Sequence, residues 1–201
     1  MTTPYFTTKD GLEGQTGINH FGHFALTGQL FDLIKKTPNS RIVNVSSSGH
    51  KAGNMEFDNL LFENGTGYGR MKAYGRSKLM NLLFTYELNR RINKADNNIL
   101  SLASHPGGSR TNLDRHLKSK WWYYVLWPLF RLMTMDQAQG ALSQIRASVD
   151  PKVKSGEYYG PHRGMSGFPV VVESNNASHN KEDARKLWEL SEEITGVKYS
   201  F

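Results

Sequence analysis

Tyr74 and Lys78 stand four residues apart in the stretch Tyr74-Gly75-Arg76-Ser77-Lys78. On an α-helix that spacing stacks the two side chains on one face. An ammonium so close favours the phenolate, and is expected to draw the phenol's pKa down from its usual ~10. Ser47, at the end of a β-branched run upstream, carries a hydroxyl that can hydrogen-bond the same substrate oxygen. Together the three groups can move a proton on and off an alcohol or a carbonyl. Spacing alone discriminates poorly, because Tyr5/Lys9 and Tyr68/Lys72 repeat it. A surface tyrosine with a solvated lysine one turn on is the ordinary form of such a pair. Context sets Tyr74/Lys78 apart: a strand ending in serines, a loop, then an amphipathic helix.

The elements that must position these groups follow in order. Residues 1–16 are polar and turn-rich. From Gly17 to Lys36, Ile18, Phe21, Phe24, Ala25, Leu26, Leu30, Phe31, Leu33 and Ile34 recur at helical spacing, and Pro38 marks the end. Asn19 lies early in that helix, beside His20 and His23, which lack a third ligand for a metal; no metal site is expected. Arg41-Ile42-Val43-Asn44-Val45-Ser46-Ser47 reads as a buried parallel strand, with its serines at the carboxyl end where open α/β sheets place ligands. A long Gly/Asn-rich loop spans 48–70, a length that suggests a task. The helix bearing Tyr74 runs to about Arg91, with Leu79, Leu82, Leu83, Tyr86 and Leu88 on its core side.

Ile99 to Ser104 is a second strand, ended by His105-Pro106-Gly107-Gly108. Strand–helix–strand order of this kind predicts a parallel sheet with right-handed crossovers. The aromatic run Trp121–Phe130 is too short to span a bilayer; it suits a lid over a substrate better than core or a membrane-surface contact. A helix over Asp136–Val149, a short strand over Gly156–Gly160 and an edge segment from Phe168 to Glu173 complete the sheet region, Pro169 fixing the edge. Asn180 caps a final helix that Gly196 ends.

The chain's 201 residues are enough for one domain with a real core. It contains no cysteine, so disulfides and thiolate metal sites are excluded and a cytoplasmic location fits. No signal-peptide pattern or membrane-length apolar run is present. A net charge of +7 invites nucleic acid, but the cations are dispersed and no recognition motif accompanies them, so no nucleic-acid partner is expected.

Asn19-His20-Phe21-Gly22-His23-Phe24, Ile42–Ser47, Tyr74–Lys78 and His105-Pro106-Gly107, in that order, resemble the short-chain dehydrogenase/reductase family, closest to its retinol-dehydrogenase-like and WW-domain-oxidoreductase-like branch. The long loop between Ser47 and Tyr74 is also like that branch. The resemblance implies an α/β fold, the carboxyl-terminal part of a doubly wound, Rossmann-like parallel sheet. It implies interconversion of an alcohol and a carbonyl with NAD or NADP on a small-molecule substrate, which the aromatic run Trp121–Phe130 suggests is apolar. In that pattern Tyr74 is the general acid/base and Lys78 lowers its pKa and binds the nicotinamide ribose. Ser47 orients the substrate oxygen, and Asn19 holds a water that links Lys78 to solvent. Pro106 and Gly107 line the nicotinamide pocket, with Thr111 a candidate for the carboxamide. A homodimer through the helix bearing Tyr74 and a peripheral membrane contact are compatible with it.

One departure matters. The family opens on a strand, a Gly-rich phosphate turn and a helix, and neither Gly11/Gly14/Gly17 nor Gly65/Gly67/Gly69 has that spacing or follows a strand. Met1 falls where the family's fourth strand has finished. The expectation is therefore a single truncated domain over 1–201, a fragment rather than a shortened natural protein. In a shortened natural protein the strand before Ser47 would show an unpaired edge; as a standalone chain, weak or no cofactor binding is expected. The rival expectation is a non-catalytic interaction protein built on the same scaffold.

Overall fold

In the computed structural model, which describes residues 1–95, 97–109 and 134–201, the β-branched run becomes strand β1 (Arg41–Val45). It pairs in parallel with β2 (Leu100–Ser104), from Arg41 opposite Leu100 to Val45 opposite Ser104. Next comes β3 (Tyr158–Pro161), again parallel, and then β4 (Pro169–Val171), antiparallel at the far edge. Pro169 can sit there because an edge strand has a free side for a residue without an N–H.

Parallel neighbours need long crossovers. Helix α1 (Gly22–Lys36) precedes β1, while α2 (Arg70–Lys94) joins β1 to β2. Helix α3 (Gln137–Val149), N-capped by Asp136, precedes β3. Successive strand residues face opposite ways, and the packing follows that alternation. Ala103 and Tyr158 meet Leu82 and Tyr86 of α2, whereas Leu102 and Tyr159 meet Ala147 of α3. The result is an α/β sandwich with a mainly parallel, Rossmann-like sheet in the middle layer.

Helix α4 (Lys181–Thr195) closes the chain on the α2 side. Asn180 Oδ1 accepts the backbone N–H of Glu182 and Asp183, and Gly196 leaves the helix at φ +67°, a left-handed C-cap that glycine adopts without Cβ strain. Trp188 joins Phe24, Phe84 and Tyr199 in an aromatic core, and the tail is tied back by Tyr199 Oη donating to Phe24 O.

Two elements differ from the sequence reading. Helix α2 has no solvent side where one core side was expected: every residue from Ala73 to Leu88 is buried. The sheet, α1, α4 and the preceding loop cover that stretch. The helix expected from Gly17 enters through an α-turn at Gly14–Thr16 and a π-helical turn at Gly17–Phe21. Such turns add a residue to the helix and are frequent at functional sites; this one contains Asn19. Among the described residues no helix is long and apolar enough to cross a membrane. Thr111 and the aromatic run Trp121–Phe130 lie outside the described residues.

Candidate active site

The 48–70 loop is shaped into three 3₁₀ turns that wrap the first half of α2. Close approach is allowed by paired glycines: a Cβ on Gly53 would lie 2.4 Å from Gly75 O, and one on Gly75 would lie 2.9 Å from Gly49 O. Arg76, fully buried, anchors the loop further. Its guanidinium donates to the carbonyls of Asn54, Asn59 and Leu60, pairs with Glu56 at 2.7 Å, and stacks over Phe62. The five donors of a guanidinium suit it to this many acceptors. Gly75 and Arg76 are thus structural residues inside the chemical motif, which sequence reading passed over; the Gly-Arg pair between Tyr74 and Ser77 was the available signal.

Ser47 caps the first 3₁₀ turn in extended backbone, its Oγ accepting the Gly49 N–H at 3.1 Å. Tyr74, only 9% exposed, lies against it: a Cβ on Gly49 would touch Tyr74 Cε1 at 3.0 Å and Ser47 Oγ at 3.4 Å. Lys78 Nζ lies 5.9 Å from the centre of the Tyr74 ring. The three groups named from sequence are therefore brought to one corner, at the carboxyl end of β1. Ser46, beside them, donates from Oγ to Lys78 O and fastens α2 to the strand end.

The electrostatics of the corner differ from the expectation. Burial pushes the Tyr74 phenol up from its usual value, and the Ser47 hydroxyl pulls it only part of the way back. Lys78 does not depress it. The reason is where the ammonium goes: Nζ donates to Val45 O at 3.1 Å, alongside Asn81 Nδ2 at 3.0 Å. Burial also lowers the Lys78 pKa to about 8, so its proton is loosely held.

Among the described residues Val45 O has no strand partner. Ser40 O and Ser46 N bond to β2, so the even-numbered residues of β1 point to β2 and the odd-numbered ones to the other side. Among the described residues β1 is the edge of the sheet, and two side chains of α2 cap its last carbonyl.

Asn19 lies in the π-helical turn. Its Nδ2 donates to Ser77 Oγ at 3.0 Å, and Ser77 Oγ donates to Tyr74 O at 2.8 Å. It braces the helix turn under Tyr74. His20 is buried and meets Ser191; desolvation lowers its pKa to about 3.

Pro106 and Gly107 follow β2, one strand over from Ser47. Gly107 takes φ +66°, and a Cβ there would lie 2.6 Å from Pro161 Cγ and 2.7 Å from Met165 O; no other residue fits this turn without displacing the segment after β3. A cavity of about 280 Å³ lies between the turn and the Ser47 loop, lined by Ser48, His50, His105, Tyr158 and Met165. Desolvation, with His50 and Lys51 adding repulsion, lowers the His105 pKa to about 4. The Tyr158 hydroxyl is buried, with the Ser46 side chain beside it.

The chain is 38% identical to human retinol dehydrogenase 14 over 200 residues, and 35% identical to human retinol dehydrogenase 13 over 203 residues. Its homologues are retinol dehydrogenases of the short-chain dehydrogenase/reductase family. These alignments take in 96% and 98% of the chain but 55% and 58% of the relatives, so the chain spans little more than half the length of the proteins it matches. A crystal structure of an uncharacterized protein from Mycobacterium paratuberculosis is similar throughout: TM-score 0.79 and 34% identity, covering 100% of this chain and 65% of that one. No protein-family model matches.

Do the residues present fit a nicotinamide dinucleotide? The reacting end does: two hydroxyls and an ammonium meet at the carboxyl edge of a parallel sheet, where such ligands bind. A phosphate cradle is not found among the described residues. Gly11 and Gly14 belong to a turn closed by a Thr7–Glu13 bridge, and Gly65 and Gly67 to the loop over α2. Neither opens a long helix after a strand, as phosphate binding of this kind requires.

Proposed function

We propose that this chain carries the proton-handling part of an oxidoreductase site that interconverts an alcohol and a carbonyl, within a single domain. The observation that carries the proposal is the meeting of Ser47, Tyr74 and Lys78, from two separate elements, in one buried corner. The Ser47 hydroxyl hydrogen-bonds the substrate oxygen and holds it beside the phenol. Tyr74, kept protonated by burial, donates its proton to that oxygen as a carbonyl is reduced and takes it back in the reverse direction. Lys78, whose proton is held weakly, supplies a cation that can share the proton load. A bound NAD or NADP would supply the hydride chemistry, with Lys78, Pro106 and Gly107 as the residues of this chain nearest its reacting end.

An apolar alcohol or aldehyde is the proposed substrate class, after the retinol in the relatives' names. The direct test is turnover of retinol and retinal with each nicotinamide cofactor, followed by nicotinamide absorbance, in the wild type and Tyr74→Phe. Loss of nearly all turnover in the variant, with its melting curve unchanged, is expected. Near-full activity in Tyr74→Phe would discard the acid/base assignment.

One observation favours a second reading, a non-catalytic scaffold: the Lys78 ammonium is engaged by Val45 O rather than turned to the site. Cofactor titration separates the two. Quenching of intrinsic fluorescence by NADH or NADPH supports the enzyme; none at millimolar cofactor (on the order of 1 mM, a weak-binding limit) supports the scaffold.

A further inference from the structure

His50 is buried to 1% exposure and uses both ring nitrogens. Nδ1 lies 2.6 Å from Ser47 O, and Nε2 lies 3.3 Å from the backbone N of Asn175. A carbonyl can only accept and a backbone N–H can only donate. The ring is therefore neutral, with its proton on Nδ1 and a bare Nε2. Ser47 O also takes the backbone N–H of His50 at 3.0 Å, so one carbonyl is held by two donors of the same residue.

Asn175 opens the segment that leads into α4. It caps the 3₁₀ turn Asn176–His179, whose Ser178 is buried and whose His179 stacks on Tyr86 of α2. One imidazole thus ties the serine turn after β1 to the segment after β4, which sequence separation of 125 residues keeps apart in the chain.

Resting on the oxidoreductase reading above, we infer that His50 is a positioning residue, a clamp that sets Ser47 Oγ against Tyr74 by holding the Ser47 peptide to the Asn175 segment. Its worth lies in geometry: a hydroxyl that orients a substrate oxygen must be held to a fraction of an ångström, and its own backbone is the part that slips.

The clamp has a built-in acid sensitivity. A second ring proton would set Nε2–H against the Asn175 N–H, donor against donor. Lys51 beside it in the loop repels that charge, and His105 from the end of β2 faces the ring as a neutral group. Tyr158 of β3 presents its ring at 5.8 Å, and Glu173 and His162 share the cavity wall. Burial, the largest influence, holds the ring neutral below its ordinary pKa.

The test uses the whole chain, isotope-labelled. Ring nitrogen spectra should show His50 protonated at Nδ1 and bare at Nε2 at neutral pH. His50→Asn keeps a donor where Nδ1–H stood and removes the acceptor; His50→Gln carries its amide out towards Asn175 and loses that donor. Amide exchange at Asn175 is expected to quicken about tenfold in His50→Asn, the loss of one hydrogen bond, and to change little in His50→Gln. Where turnover is measurable, kcat should fall in both variants, since each breaks one end of the clamp, with KM steady in both.

A ring protonated at Nε2, or Asn175 exchange in His50→Asn within about twofold of wild type, overturns the clamp. If neither variant folds, the wild type decides: Asn175 exchange must quicken as His50 takes up its second proton, and constant exchange through that titration also overturns it. A chain without any turnover removes the oxidoreductase reading and leaves the exchange result to judge the clamp by itself.

Discussion

Tyr68/Lys72 and Tyr74/Lys78 are the same pattern six positions apart, and the fold gives them opposite fates. Tyr68 Oη donates to Thr3 O and accepts from Gln15 Nε2, pinning the amino-terminal segment. Lys72, with 37% of its side chain exposed, pairs with Glu56 at 2.8 Å. Tyr74 and Lys78 are each only 9% exposed, beside Ser47 and under Val45 O. Solvated, a lysine at this spacing is an ordinary cation. Desolvated at a strand end, it becomes a group with a displaced pKa. Chemistry here is decided by which turn of the helix enters the sheet's rim.

The largest effect should come from removing the two phenols in turn. Tyr74→Phe is expected to lower kcat by ~10²–10⁴-fold, the range for a lost acid/base, while Tyr68→Phe leaves kcat alone. Equal losses in both would erase the contrast.

Gly53→Ala comes next, because its Cβ has nowhere to go against Gly75 O. A loss of roughly 2–3 kcal/mol is expected, the usual cost of overpacking against backbone, read from urea midpoints. It should disturb the Ser47 loop and leave the amide signals around Thr3 and Tyr68 in place.

The lysines should separate by pH. The folded state holds Lys78 at about 8 against 10.5 for a free lysine, so between those values the unfolded chain binds the extra proton. Stability must then rise as pH climbs through that window, by roughly 3 kcal/mol. Lys78→Met should flatten the rise, and Lys72→Met should leave it intact. An unchanged slope in Lys78→Met would show that another group titrates there.

Smallest are the structural costs on the outer pair. Tyr68→Phe should cost about 1 kcal/mol for its hydrogen bonds. Lys72→Met should cost under ~0.5 kcal/mol, as an exposed ion pair does. Chemical denaturation of both variants gives the comparison.

Much of the frame was legible locally. The β-branched run to Ser47, the 3.6-residue pattern of α2, Asn180 as a cap, Gly196 as a stop and Pro169 at an edge each express a preference of the residue's own backbone or side chain. What was not legible depends on neighbours distant in the chain. The burial of α2 on all faces follows from four separate covering elements. The π-helical turn at Asn19 and the raised phenol of Tyr74 depend on burial and on partners that no local pattern displays.

By itself, then, the sequence determined which residues could meet: hydroxyl, phenol and amine at a strand end and one helix turn, within an α/β alternation. Tertiary structure alone decided their state. It took Lys78 to Val45 O, kept the Tyr74 proton in place, set Asn19 against Ser77 and drew His50 across to Asn175. The physical reason is that periodicity and capping are short-range properties of the chain. Solvation and hydrogen-bond partnership are properties of whatever the folded chain packs around a group.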